Sequence, residues 1–329
     1  MAVRSTPSWY LGLLTVTFAT AVALALVSAH IRLTNSGLGC TDWPQCYGRI
    51  GTVADTSATA VHTAPAGATR IHRVLASTLG LLVLAVAAAA LKPRLRASGW
   101  LPPALALAVM IALAVLGKWS SGLQRPAVVI ANFSGGIVLA ATLWWLLVGA
   151  IRSKAVPAAS VARHSITRLW MMLGSLALFV QIVLGGLVSA YFAGLACGPS
   201  PTCGGSWSPA LPWFELSAQF YLLELDTTGR VIIGDTLTGL HMTHRLFGFV
   251  LVPLIVWIAW QLHRHGLRGS AITVVSLLAA EVALGLAAVN MALPPALILL
   301  HYGLALALLL ALLWAAQPMG SQSQPRVAR

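Results

Sequence analysis

Eight apolar runs limit what this chain can fold into. They lie at 9–30, 71–91, 101–117, 128–149, 169–190, 241–261, 271–289 and 295–315. At 1.5 Å per residue, helices of such lengths cross a hydrocarbon core of ~30 Å. The only charged residues inside the runs are Arg73, Arg245 and Glu281. A bilayer core offers no water to unpaired backbone groups, so runs of this length must close their hydrogen bonds internally as α-helices. The sequence therefore predicts an all-α integral membrane protein with eight transmembrane helices. The run at 101–117 is the shortest, and Pro102 and Pro103 suit its first turn. No small-residue cleavage site marks the first run, which is expected to remain as the first helix.

Composition agrees with lipid as the solvent. The chain is 58% hydrophobic and 8% charged, against about 25% charged in soluble domains. The formal net charge of +13 would raise a nucleic-acid partner for a soluble protein. Here the basic residues sit mainly in short loops, without aromatic interleaving or a nucleic-acid motif, so none is expected. One set of loops and ends holds Arg4, Lys92, Arg94, Arg96, Arg152, Lys154, Arg163, Arg168, Arg264, Arg268, Arg326 and Arg329. The positive-inside rule puts that set and both termini in the cytoplasm, and the long loops 31–70 and 191–240 outside. The expected location is the cell (inner) membrane, multi-pass.

The two halves match in register. Ser36 to Gly48 aligns without a gap on Ala193 to Gly205, with Gly, Leu, Cys, Pro, Cys and Gly coinciding. Ile71-His72-Arg73 aligns on Thr243-His244-Arg245, and Pro126 to Trp145 on Pro295 to Trp314. An even number of spans per unit gives both units one orientation. The expected architecture is two tandem four-helix bundles in a parallel pseudo-twofold repeat: a half at 1–150, a cytoplasmic linker at 151–168 and a half at 169–329.

Two cysteine pairs, Cys40 with Cys46 and Cys197 with Cys203, lie in Gly/Pro-rich outside loops. An oxidising compartment favours disulfides there, either as loop staples or as redox-active pairs. A CxxxxxC spacing alone is a poor metal site.

His72, His244 and His301 fall in the outer parts of the second, sixth and eighth runs. An ionisable group inside a membrane is a functional candidate, against the plainer role of a packed, hydrogen-bonded residue. Two imidazoles on neighbouring helices are one way to hold heme iron. Arg73 and Arg245 follow two of these histidines, suited to heme propionates or to snorkelling at the interface. The repeat expects a histidine opposite His301 in the first half, but Asn132 stands there. His30 and His62 are the alternative ligands in that half.

The stretch Arg32-Leu33-Thr34-Asn35-Ser36-Gly37-Leu38-Gly39-Cys40-Thr41-Asp42-Trp43-Pro44-Gln45-Cys46 closely resembles the signature after the first helix of heme A synthases. The His-Arg pairs, tandem halves and paired loop cysteines also resemble that family, over nearly the whole chain. The resemblance implies oxidation of the ring-D methyl of heme O to a formyl, giving heme A for terminal oxidases. It implies a heme b cofactor on His244 and His301 and a substrate heme on His72, the catalytic site. It also implies an electron donor such as ferredoxin, with heme O synthase, membrane lipid and a homo-oligomer as further associations. Two positions depart from the family pattern: Asn132 replaces a ligand histidine, and Thr69 an acidic residue three before His72. Glu281, the one carboxylate inside a span, either pairs with a polar neighbour or relays protons, while Asp42 shapes the first loop. The competing readings are a non-catalytic b-type heme protein or oxidase-assembly factor derived from that family, and a secondary transporter.

Overall fold

The computed structural model describes residues 6–36, 43, 46–48, 50, 66–92, 95, 99–119, 125–152, 165–207, 217, 219–227, 229–232 and 236–317. Cys40, Asp42, His62 and linker residues 153–164 lie outside the described residues. Eight helices make up the described fold: α1 (Ser8–Asn35), α2 (Ala66–Ala89), α3 (Leu101–Gly117), α4 (Pro126–Arg152), α5 (Ser165–Ala190), α6 (Thr236–Arg264), α7 (Arg268–Asn290) and α8 (Pro295–Ala316). Seven are long and apolar enough to cross a membrane, as a multi-pass membrane protein requires. The eighth, α3, has 17 residues, about 25 Å of rise, and carries its two prolines in its first turn.

Helix ends depart from the apolar runs where histidines lie. The runs put His72 and His244 near helix starts, but α2 begins at Ala66 and α6 at Thr236. Hydropathy reports where lipid begins, whereas a helix continues as long as its backbone bonds close. Residues Thr236 to Leu240 hold no proline, so the backbone bonds close through them and α6 gains more than a turn. His72 and His301 therefore each lie about 9 Å into their helices, and His244 about 12 Å.

Packing is by neighbouring helices in closed circuits. In the first, α1 packs on α2 and α4, and α3 on α2 and α4. In the second, α5 packs on α6 and α8, and α7 on α6 and α8. Across the seam, α4 meets α5 and α8, and α1 meets α8. One core joins Leu14, Val83, Val86 and Leu143; another joins Ile255, Ile258, Val274, Leu308 and Leu312, all without exposed surface. Lipid tails are as apolar as leucine, so close van der Waals contact has to hold helices together. Gly174 shows how close: a Cβ there would lie 2.4 Å from Ile258 Cδ1. Leu81, Val250, Ile272 and Leu286 point outward, as a lipid-facing surface requires.

The polar cap sits at one end of the helices. Cys197 and Cys203 are joined by a disulfide. A turn from Glu224 to Ile232 closes on itself (Ile232 N to Glu224 O, 3.0 Å) and then reaches the other half. Val231 N donates to Gly48 O at 3.1 Å, and Ile50 N to Gly229 O at 3.0 Å. Ala127 N, at the start of α4, donates to Phe220 O at 2.9 Å. The long second loop thus straps both halves together. Phe192 takes φ 58° just past α5, a conformation costly for a side chain. It is held by the Ala193 N to Val188 O bond at 2.8 Å and by the Tyr47 ring at 5.7 Å.

Candidate functional site

The second circuit places His244 and His301 on opposite helices. Both α6 and α8 pack on α5 and α7, so they face each other across the circuit. Each imidazole rests against a glycine on an intervening helix. A Cβ on Gly185 of α5 would sit 3.1 Å from His244 Cε1, and one on Gly285 of α7 3.1 Å from His301 Cε1. Side chains at these two positions would push the rings off their present seats.

Their polar partners differ. His301 Nδ1 stands 3.1 Å from Glu281 Oε1, one turn before Gly285 on the same face of α7. Glu281 is therefore the paired carboxylate of the two readings the sequence left open. His244 Nδ1 is buried and makes no hydrogen bond. Its helix is pinned by Gln181 Nε2, which donates to the His244 carbonyl at 3.1 Å, while Gln181 Oε1 stays buried and unbonded. His241 is not part of this pair: its Nδ1–H donates to Ala193 O at 2.9 Å and ties α6 to the loop after α5.

Two half-buried imidazoles on opposite helices, each seated against a glycine and one with an unbonded ring nitrogen, suit a flat metal macrocycle with axial nitrogen ligands. The donor set fits a heme. A carboxylate behind one imidazole orients that ring and raises its basicity toward a metal.

Arg245 follows His244 but spends two donors on backbone: Nη1 on Ser200 O and Nη2 on Gly198 O, inside the Cys197–Cys203 loop. In the first circuit, α2 and α4 are likewise opposite one another. His72 is half-buried on α2, Arg73 exposed beside it, and Asn132 half-buried on α4. Thr69 is half-buried, and His30 is exposed at the end of α1. The described part of the first circuit thus offers one well-placed imidazole, the second offers two.

Sequence reasoning missed Gly185, Gly285, Gln181 and Arg32. The glycines carried no sequence signal beyond being glycines within apolar helices. Arg32 was visible as a cation at the end of a run, yet read only as part of a motif. Its Nε and Nη1 are buried without a hydrogen-bond partner, and its Cζ lies 5.0 Å from the Phe133 ring centroid. The neighbouring Tyr47 is no counter-ion, since burial pushes its phenol up to about 12 despite the Gly194 amide and the Arg32 charge.

Comparison with known proteins matches the chain to one family. The family described as cytochrome oxidase assembly protein, COX15-CtaA, matches residues 12–313. A heme A synthase of Shewanella oneidensis is 30% identical, over 91% of this chain and 93% of its own. Those of Novosphingobium aromaticivorans and Paracoccus denitrificans are 27% and 28% identical, covering 92% and 88% of this chain and 92% and 82% of their own.

Proposed function

Because the chain belongs to the COX15-CtaA family of cytochrome oxidase assembly proteins, we propose that it is a membrane oxidoreductase that converts heme O to heme A for terminal oxidases. The observation that carries this is the glycine-seated pair His244 and His301 in a chain that a heme A synthase matches over 91% of its length. The resident group in this reading is heme b, held by His244 and His301, and it supplies one-electron redox chemistry when bound. Glu281 stands 3.1 Å from His301 Nδ1, behind the ring, and Gln181 fixes the helix that carries His244. Arg245 braces the cysteine loop over this site with two donors, leaving its other N–H groups for a propionate.

The first half, 1–150, takes the substrate heme, with His72 as the catalytic ligand and Arg73 at the outer edge. The half at 169–329 takes the cofactor, with 151–168 between them. The parallel repeat is supported by the matching circuits and by one contact in particular. Phe133 and Tyr302 are equivalent positions, and their rings stand 5.3 Å apart. Equivalent residues meet where they flank a twofold axis, so this contact supports an axis between α4 and α8. The halves sit in the inner membrane with both termini cytoplasmic, and an external donor such as ferredoxin supplies electrons. The Cys197–Cys203 disulfide and its counterpart Cys40–Cys46 staple the two outside loops.

A second reading, a b-type heme protein without the oxidase-assembly chemistry, is favoured by Asn132 and Thr69 in the substrate half. One experiment separates the two. A host that makes heme O expresses the chain, and its hemes are extracted and analysed by chromatography and mass spectrometry. Heme A or its hydroxylated precursor is the expected product. A well-folded, heme-loaded protein with only heme B and heme O in the extract would leave the second reading.

A further inference from the structure

Arg32 ends α1 at the seam between the two circuits, where α1 packs on α8. Its guanidinium lies against Phe133 of α4, at 5.0 Å from Cζ to the ring centroid. Phe133 in turn contacts Tyr302 of α8, and a Cβ on Gly186 would come within 2.8 Å of the Phe133 ring, so the ring has little room to move away. The phenols of Tyr47 and Tyr302 neighbour the guanidinium, but a neutral phenol brings it no counter-charge. An aromatic face balances part of a cation's charge but accepts none of its N–H donors. Two of those nitrogens, Nε and Nη1, are buried with no acceptor. Among the described residues no carboxylate pairs with Arg32, and Glu281 stands against His301.

A buried cation with unbonded donors is stable only if an anion completes it. The guanidinium geometry matches carboxylate or phosphate. Its placement narrows the choice. Phe133 follows Asn132 and Tyr302 follows His301, so Arg32 stands beside the helix positions that face both candidate heme pockets. Arg245 has two donors on loop carbonyls and Arg73 is exposed, which leaves Arg32 as the desolvated cation of the three.

We infer that Arg32 is the receptor for a heme-edge carboxylate at the seam between the two halves. This rests on the heme reading proposed above. The carboxylate belongs either to the resident heme of the second half or to the substrate heme of the first. In the second half the register of the cysteine loops places Ser189 opposite Arg32, so the seam has this cation on one side only.

The test uses full-length protein in detergent and two probes in acid and dimethyl-ester form. The first arm titrates heme b, or its diester, into heme-free protein. The second titrates heme O, or its diester, into protein already loaded with heme b. Wild type is expected to prefer the acid over the diester by about tenfold or more, the weight of one charge-assisted hydrogen bond. R32Q lowers that preference by about tenfold in the arm whose carboxylate Arg32 receives, the share of its one charge-assisted bond, and that arm identifies the source. R32Q with wild-type preference in both arms overturns the inference while leaving the heme reading standing. Wild type that binds neither heme overturns both. If R32Q does not accumulate, R32K serves: its point charge gives a smaller acid preference than the fork, and an unchanged ratio overturns the inference.

Discussion

Replacing Gly285 by alanine separates site geometry from stability. The added Cβ would lie 3.1 Å from His301 Cε1 and 3.6 Å from its Nδ1. Ordinary carbon contacts sit near 3.5–4.0 Å, so the imidazole must retreat by a few tenths of an ångström. That retreat is comparable to the tolerance of a metal–nitrogen bond, about 0.2 Å, and it also disturbs the 3.1 Å approach of Nδ1 to Glu281. The backbone effect has the opposite sign, because alanine is about 1 kcal/mol better than glycine inside a helix. The variant is therefore expected to melt at the wild-type temperature or slightly above, yet to lose heme or the low-spin absorbance of two nitrogen ligands. Gly185→Ala should behave alike, since its Cβ meets His244 Cε1 at the same 3.1 Å. Gly269→Ala, also on α7 and with nothing within 4 Å of its Cβ, is the control. The assay is the pyridine hemochrome content and visible spectrum of purified protein, alongside thermal unfolding in detergent. Unchanged heme content and spectrum in both Gly285→Ala and Gly185→Ala would refute the assignment of these glycines as imidazole seats.

Three further outcomes are expected. His244→Ala and His301→Ala each lose the bound heme b spectrum, whereas His72→Ala keeps it and forms no heme A; a full spectrum in both of the first two variants would sink the ligand assignment. Glu281→Gln folds but retains heme about 10-fold to 100-fold less tightly, the usual weight of a partner behind a metal-ligating histidine, and wild-type retention on dilution would show that the 3.1 Å contact does not support the ring. Cys203→Ser opens a loop of sequence separation 6 and is expected to cost about 2 kcal/mol by loop entropy, read as a lower melting temperature that reducing agent reproduces in wild type; a variant melting with wild type would mean that Arg245 and the Thr238 carbonyl hold the loop without the bond.

Much of the candidate site was legible because repeats leave a signal that survives divergence. His244 and His301 stood out as ionisable residues in apolar helices, and His72 as the partner of His244 in the repeat. Their depth was not legible, because helix start and lipid boundary differ, and α6 runs five residues beyond its apolar run. The pairing of Glu281 with His301 was also beyond the sequence. They are 20 residues apart on two helices, and only the packing of α7 on α8 sets the carboxylate behind the ring.

By itself the sequence determined that this chain lives in lipid, with eight helices, because apolar run length and sparse charge leave the backbone no other way to satisfy its hydrogen bonds. It determined the family too, since the motif after α1 and the His-Arg pairs are local in the chain. Tertiary structure alone decided which glycines seat the imidazoles, that the second loop straps Gly48 and Ile50, and that Arg32 holds two nitrogens buried without a hydrogen bond beside Phe133. Each of these depends on approach between helices and loops far apart in sequence. Such contacts are set by close packing of whole surfaces, which no single stretch of residues encodes.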